Sequence, residues 1–179
     1  MWSFANKMMI GLTILVCISQ IVLWYGDLPE MVPSHFDANG EVDGEMSRNA
    51  FCAMMGLINL GMLICLPLTG YLAKHLPNSL VNIPNKDYWL APARRDASLT
   101  LMTDFVSAIA WMTGWLFIGI FQLSALVGIK ARETISPEFY FFMGFYLVGV
   151  IAVMVIMSLK FRKPVEDASS PAESLGSLS

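Results

Sequence analysis

Residues 28–45 read LPEMVPSHFDANGEVDGE and lie between two long apolar stretches. With the adjoining Asp27 the segment carries six carboxylates, Asp27, Glu30, Asp37, Glu41, Asp43 and Glu45, and one imidazole, His35. Such a set could hold a divalent cation, because clustered carboxylates suit Ca²⁺ and an imidazole beside them suits Zn²⁺. The run DANGEVDG has the letters of a calcium loop but not its spacing. With Asp37 in the first position, Asn39 and Glu41 fall third and fifth. Val42 then stands sixth, where the sharp turn requires Gly, and Arg48 stands twelfth, where a bidentate Glu is required. A different set, His35, Asp37 and Asp43, stays open as a metal site. The plainer reading is a solvated acidic hairpin, since charge runs without ligand spacing are usually just wet. No Gly-rich phosphate loop, Ser/His/Asp set or HExxH occurs in the chain. The sequence therefore assigns no catalytic residue, no cofactor and no resident metal.

The elements that must hold this loop are membrane spans. Of 179 residues, 56% are apolar and 14% charged, against about 25% charged in soluble proteins. Mean hydropathy is +0.60. Four continuous apolar runs, 8–25, 51–73, 105–129 and 139–159, are each long enough to cover or nearly cover a hydrocarbon core of about 30 Å as helix. Continuous rather than alternating hydrophobicity rules against a barrel. The expected fold is an all-α membrane protein: four transmembrane helices, a small extracytoplasmic hairpin loop and an amphipathic cytoplasmic loop. Residues 1–163 form one integral membrane domain, and 164–179, Ser-rich and poor in large apolar residues, form a disordered tail. The first run is longer than a signal-peptide core and has no small-x-small site near Tyr25, so it reads as a retained anchor. Cys17, Cys52 and Cys65 all fall within spans and read as small buried hydrophobes.

Basic residues set the orientation. Eight of the eleven (Lys7, Lys74, Lys86, Arg94, Arg95, Lys160, Arg162 and Lys163) fall on one side. Arg48, Lys130 and Arg132 fall on the other. Both termini and the loop 74–104 are thus expected in the cytoplasm and the acidic loop outside, in a multi-pass membrane protein. A net charge of −3 with no basic stripe argues against nucleic acid.

Within this frame Pro29 and Pro33 keep the outer loop extended, and Asn39-Gly40 predicts a type I′ turn. Ser34, His35 and Phe36 would then pair with Glu41, Val42 and Asp43, with Phe36 and Val42 seating the hairpin on the helix ends. Pro67 is expected to kink the second span. Gln20, Asn59 and Gln122 are candidates for interhelical hydrogen bonds or for a polar path. Ala110 and Gly114 form a small-xxx-small pair, and Trp111 and Trp115 share a face. In the loop LPNSLVNIPNKDYWLAPARRD, Pro77, Pro84 and Pro92 interrupt helix, and Tyr88, Trp89 and Leu90 read as a membrane-surface anchor. The third helix is expected from Ala93, its first dozen residues lying at the headgroups, with Arg94 and Arg95 meeting anionic lipid, plain solvent or a partner. Asp104 is expected to pair with Lys74 across the interface.

The run LPEMVPSHFDANGEVDG resembles the motif of the DUF1648 membrane proteins: Leu-Pro, then Val-Pro-x-His-Phe, then a turn with Gly and Asp. In this chain the motif falls on Leu28, Pro29, Val32, Pro33, His35, Phe36, Gly40, Asp43 and Gly44. The run NIPNKDYWLAP resembles a segment of four-span members. The resemblance implies a bacterial inner-membrane protein. Some relatives resemble the sporulation-delay toxin immunity protein, which joins toxin protection to membrane signalling and carries further spans.

Binding is accordingly assigned to Pro33, His35, Phe36, Asp37, Gly40 and Asp43, with a second motif at Asn82, Pro84, Asn85, Tyr88, Trp89 and Pro92. The leading function class is a non-enzymatic interaction, immunity-like or regulatory membrane protein. Its partners are the lipid bilayer, a protein or peptide at the outer loop, and further copies of itself. A small oligomeric transporter and a metal-dependent membrane enzyme are the alternatives.

Overall fold

The computed structural model describes residues 3–131, 134 and 137–164. In chain order the elements are helix α1 (Phe4–Trp24), strands β1 (Met31–Phe36) and β2 (Val42–Ser47), and helix α2 (Arg48–Leu72). Two 3₁₀ turns (Ala73–His75 and Asn78–Leu80) and the single-turn helix α3 (Lys86–Trp89) follow, and then the long helices α4 (Arg95–Gly128) and α5 (Pro137–Lys160). The four long helices are all long and apolar enough to cross a membrane. The protein is mostly helical and of multi-pass membrane type. The tail assigned to disorder lies, beyond Pro164, outside the described residues.

Helix α4 is the hub, packing against α1, α2, α5 and β1. Its buried positions Leu99, Thr103, Ser107, Ala110, Gly114, Phe121 and Ala125 recur at three- and four-residue spacing along one stripe. Many are small, and in lipid small interfaces let backbones approach where no hydrophobic force separates helix from solvent. The approach is tight: a Cβ on Gly114 would lie 2.6 Å from Thr13 Cγ2 and 3.3 Å from Asn59 Oδ1. Gly114, the small residue anticipated from sequence, thus lies where α1, α2 and α4 meet. At Gly70 on α2 an added Cβ would lie 2.9 Å from Thr103 Cα, so backbone itself closes that contact. Helix α5 packs on α4, with Phe142 over Gly119, Met112 over Gly149 and a 3.0 Å hydrogen bond between Thr113 and Tyr146 hydroxyls. Its other faces expose large apolar side chains such as Phe141, Phe145 and Val148. They match the acyl chains that would surround them.

Polar groups within the spans are largely consumed locally. Thr13, Thr103, Ser107 and Thr113 donate to carbonyls four residues back, at 2.7–2.8 Å. Asn59, 1% exposed, donates to the Gly114 carbonyl at 3.0 Å. Gln20 donates to the Ile118 carbonyl at 3.1 Å and to Gln122 Oε1 at 3.0 Å. Helix α2 continues unbroken through Pro67. Cys17 and Cys52 are buried, but Cys65 is exposed on the apolar flank of α2, not buried as expected.

The expected pair of Asp104 with Lys74 does not form. Asp104 instead meets the start of α1, accepting from the Ser3 N–H at 2.5 Å and from Asn6 Nδ2 at 3.3 Å. Asn6 Oδ1 in turn accepts from Trp111 Nε1 at 3.1 Å. Free backbone donors at a helix start attract a carboxylate and here compete with the surface ammonium for it.

Candidate functional site

The hairpin closes the end of the bundle where α1 and α4 finish and α2 begins. Arg48 fastens it: its N–H donates to the Glu30 carbonyl at 2.9 Å, and its guanidinium donates to the Leu28 carbonyl at 3.0 Å. The guanidinium also stacks 5.0 Å from the Tyr25 ring centroid. Ser47 ends β2 and starts α2 at once, accepting from the Ala50 N–H at 3.4 Å as an N-cap. Nothing in the motif itself marked Arg48 as a clasp, although it was the sole cation in an acidic loop.

The strands are antiparallel, pairing Met31 with Ser47, Val32 with Met46, Pro33 with Glu45, His35 with Gly44 and Phe36 with Val42, with irregularities on either side of His35. The ladder is therefore longer than the expected three pairs and shifted from them. The turn also differs. Gly40 has φ 82°, whereas Asn39 is not at positive φ, so no type I′ turn forms. The Gly40 N–H donates to the Asp37 carbonyl at 3.0 Å and the Asp37 N–H to the Glu41 carbonyl at 2.9 Å. This is a three-residue loop that ends on a left-handed glycine. Asp37 shapes it, its Oδ1 accepting from the Asn39 N–H at 2.8 Å and the Glu41 N–H at 2.9 Å. Donation from the Glu41 N–H, helped by Asn39, holds the Asp37 carboxyl below the usual aspartate range.

The seat of the hairpin is not Phe36, which is half-buried, but Val32 and Leu28. Val32, 0% exposed, and Leu28 join Phe51, Cys52, Met55, Phe121 and Ala125 in one apolar cluster. Pro33 and Pro29 lie over the end of α4, where a Cβ on Gly128 would sit 3.2 Å from Pro33 Cδ and 3.4 Å from Pro29 Cδ. The two prolines therefore have a packing role as well as a conformational one. Gly44 has a similar reason: opposite His35, its added Cβ would come within 3.0 Å of His35 Cβ.

Of the assigned residues, His35 and Asp43 come together, His35 Nδ1 hydrogen-bonding Asp43 Oδ1 across the strands. Their side chains are 73% and 46% exposed. Asp37 is spent on its own turn. Among the described residues no three His, Cys, Asp or Glu side chains are placed to hold a metal ion.

Residues 12–59 match the family model described as Domain of unknown function (DUF1648). The chain is a DUF1648-containing protein. No curated protein and no solved structure matches it. The DUF1648 segment coincides with a structural unit: most of α1, the hairpin, and α2 as far as Asn59, the residue that locks α2 to α4. The second motif lies outside the match.

That second motif is at the opposite end of the bundle, where it packs against the end of α5. Trp89 Nε1 and Asn85 Nδ2 both donate to the Phe161 carbonyl, at 2.7 Å and 2.9 Å. Leu90, Phe161, Val81, Ile83, Ala73 and Leu99 form a buried cluster. Asn85 takes φ 51° to start α3, a conformation Asn tolerates better than most residues. Arg95 is not free for lipid: it donates to the carbonyls of Lys74 (3.0 Å), Ala73 (3.3 Å) and Leu76 (2.7 Å), covering the unsatisfied end of α2. Asn82, Pro84 and Pro92 are exposed around this knot.

Proposed function

We propose that the protein is a non-enzymatic membrane interaction protein, immunity-like or regulatory, and that the hairpin of the DUF1648 segment is its recognition surface. The observation that carries this reading is the division of labour within the hairpin. Leu28, Val32 and Pro33 are committed to the bundle, whereas His35, Glu41, Asp43 and Glu45 are presented to solvent by the strand pair and its turn. A rigid, acidic, exposed strand pair suits a protein or peptide with basic residues, held by charge and by polar rim contacts. The basic-residue count supports an orientation with the hairpin outside and both termini in the cytoplasm, and the DUF1648 resemblance is what supports a bacterial inner-membrane placement.

Photo-crosslinkers placed at Asn39 and Glu41 in native membranes test this. The expected result is a single partner captured at both positions and lost in Gly40→Val; capture of nothing but lipid would overturn it. Orientation is tested by single cysteines in a Cys-less background. A membrane-impermeant thiol reagent applied from outside is expected to label position 39 and not position 82.

A small oligomeric transporter is a second reading, favoured by one feature. Gln20 and Gln122 line a crevice of about 600 Å³ between α1, α4 and α5, together with Ser19 and Trp115. Gln20→Leu combined with Gln122→Leu would favour it by abolishing the cellular phenotype while hairpin capture persists. The metal-enzyme reading has less support, since His35 and Asp43 pair with each other and Asp37 holds the turn.

A further inference from the structure

At the end of the bundle opposite the hairpin, two cations face one ring. The Arg94 guanidinium carbon lies 3.8 Å from the Tyr88 ring centroid, and Lys163 Nζ lies 6.0 Å from the same centroid. The charges are therefore no more than about 10 Å apart. Arg94 Nε donates to the Tyr88 carbonyl at 3.1 Å, which fixes the guanidinium plane, and among the described residues its terminal nitrogens have no hydrogen-bond acceptor. Among the described residues neither cation has a carboxylate within ion-pair distance, the one such pair being His35 with Asp43. Together with Asn85, Asp87 and Tyr88 they line a groove of about 380 Å³.

The depth of this groove identifies what would meet it. The apolar span of α5 ends at Lys160, three residues before Lys163, and α4 begins at Arg95, next to Arg94. Both cations therefore sit where the hydrocarbon gives way to headgroups. The carbonyl end of α5 would repel an anion, but Trp89 and Asn85 already cover its Phe161 carbonyl. One carboxylate, Asp87, shares the groove, so the lining carries a single net positive charge. That suits a singly charged phosphodiester better than a multiply charged group.

We infer that this groove binds the phosphate of an anionic phospholipid, held between the terminal nitrogens of Arg94 and the Lys163 ammonium. Arg supplies the forked donor that matches phosphate oxygens, and Lys supplies a mobile point charge. The knot formed by Asn85, Trp89 and Phe161 keeps the two cations at one depth, so the site belongs to the folded loop and not to the basic sequence alone.

The test uses the full chain in nanodiscs of phosphatidylglycerol mixed with phosphatidylcholine, with co-purifying lipid counted by native mass spectrometry. The expected result is retained phosphatidylglycerol, its preference over phosphatidylcholine falling about fivefold in Lys163→Gln and again in Arg94→Gln, the factor appropriate to one basic side chain at a membrane surface. Arg162→Gln, exposed at the same level but outside the groove, is expected to leave the preference unchanged. Because Arg94 also braces the loop, Lys163→Gln, whose side chain makes no hydrogen bond among the described residues, carries the decision should Arg94→Gln fail to fold. Equal loss in Arg162→Gln would reduce the site to diffuse attraction and overturn the inference. Equal retention of both lipids would also overturn it. Release of the lipid by millimolar inorganic phosphate would reassign the groove to a soluble phosphate and overturn the lipid assignment.

Discussion

The two ends of this bundle are closed by different means. At one end the hairpin closes it with a regular ladder: backbone pairs with backbone, two prolines and a valine press down onto α4, and the charged side chains are left over. At the other end residues 73–94 form no ladder at all. That loop is held by side chains reaching distant carbonyls: Arg95 to the end of α2, Trp89 and Asn85 to Phe161, Asn78 to Leu90. A ladder satisfies its own backbone, so its side chains are free for a partner. A loop tied by side chains has spent many of them on structure, and at its edge Arg94, beside Lys163 at the end of α5, is left to meet something else.

The contrast predicts that each end fails separately. Arg95→Met should have the largest effect, removing charge-assisted donors from three carbonyls at the end of α2. Each such bond contributes roughly 1.5–3 kcal/mol when shielded, and partial exposure here brings the expected total loss to about 3 kcal/mol. Denaturant titration of the purified protein measures the loss. Hydrogen exchange should locate it in 73–94 while the hairpin amides keep their protection. If both ends loosen together, the bundle ends are coupled and the comparison breaks.

Val32→Ala is the matching change at the hairpin. Two buried methyl-sized groups and the cavity they leave cost about 2 kcal/mol. Here the amides of 31–47 should lose protection while 73–94 is unchanged. Gly40→Val should cost about 1–3 kcal/mol of local strain, since a β-branched residue is forced to positive φ. His35→Gln, at an exposed pair, should stay within about 1 kcal/mol. Partner capture is expected to follow the same order, Gly40→Val disturbing it more than His35→Gln. A metal-dependent hairpin would reverse that order.

These two ends also mark what the sequence made legible. The spans and the hairpin follow from hydrophobic runs and short-range turn chemistry, which depend on neighbours in the chain. The register of the hairpin was missed because Asn39-Gly40 carries the letters of a type I′ turn, whereas Asp37 can satisfy the Asn39 and Glu41 N–H groups and so favours a three-residue loop. The protein contacts of Tyr88 and Trp89 were not legible because their partners, Lys163 and Phe161, lie more than 70 residues away, and an aromatic pair beside a span looks the same whether lipid or protein covers it. Asp104 was assigned the nearest opposite charge at the right depth, when free N–H groups at the start of α1 competed for it.

The finest test of the comparison is confined to one turn. At Asp37 the turn of the hairpin, like the opposite loop, relies on a side chain to satisfy backbone polar groups, here the N–H groups of Asn39 and Glu41. Because those donors lower its folded pKa, its contribution is present above the ordinary aspartate pKa and is lost as pH falls through the depressed folded value. Acidification below the usual aspartate range should therefore reduce the protection factors of the Glu41 and Asn39 amides first, with the Val32 and Met46 amides unaffected. Asp37→Asn should show the same loosened turn at neutral pH and no further change on acidification, because a neutral amide keeps one acceptor but cannot titrate. Two-dimensional NMR of the protein in detergent, followed from neutral pH downward, reads this directly. Simultaneous loss of the Met46 amide would mean that the turn and the seated part of the ladder are one cooperative unit, and that the hairpin depends on its side chains as the opposite loop does.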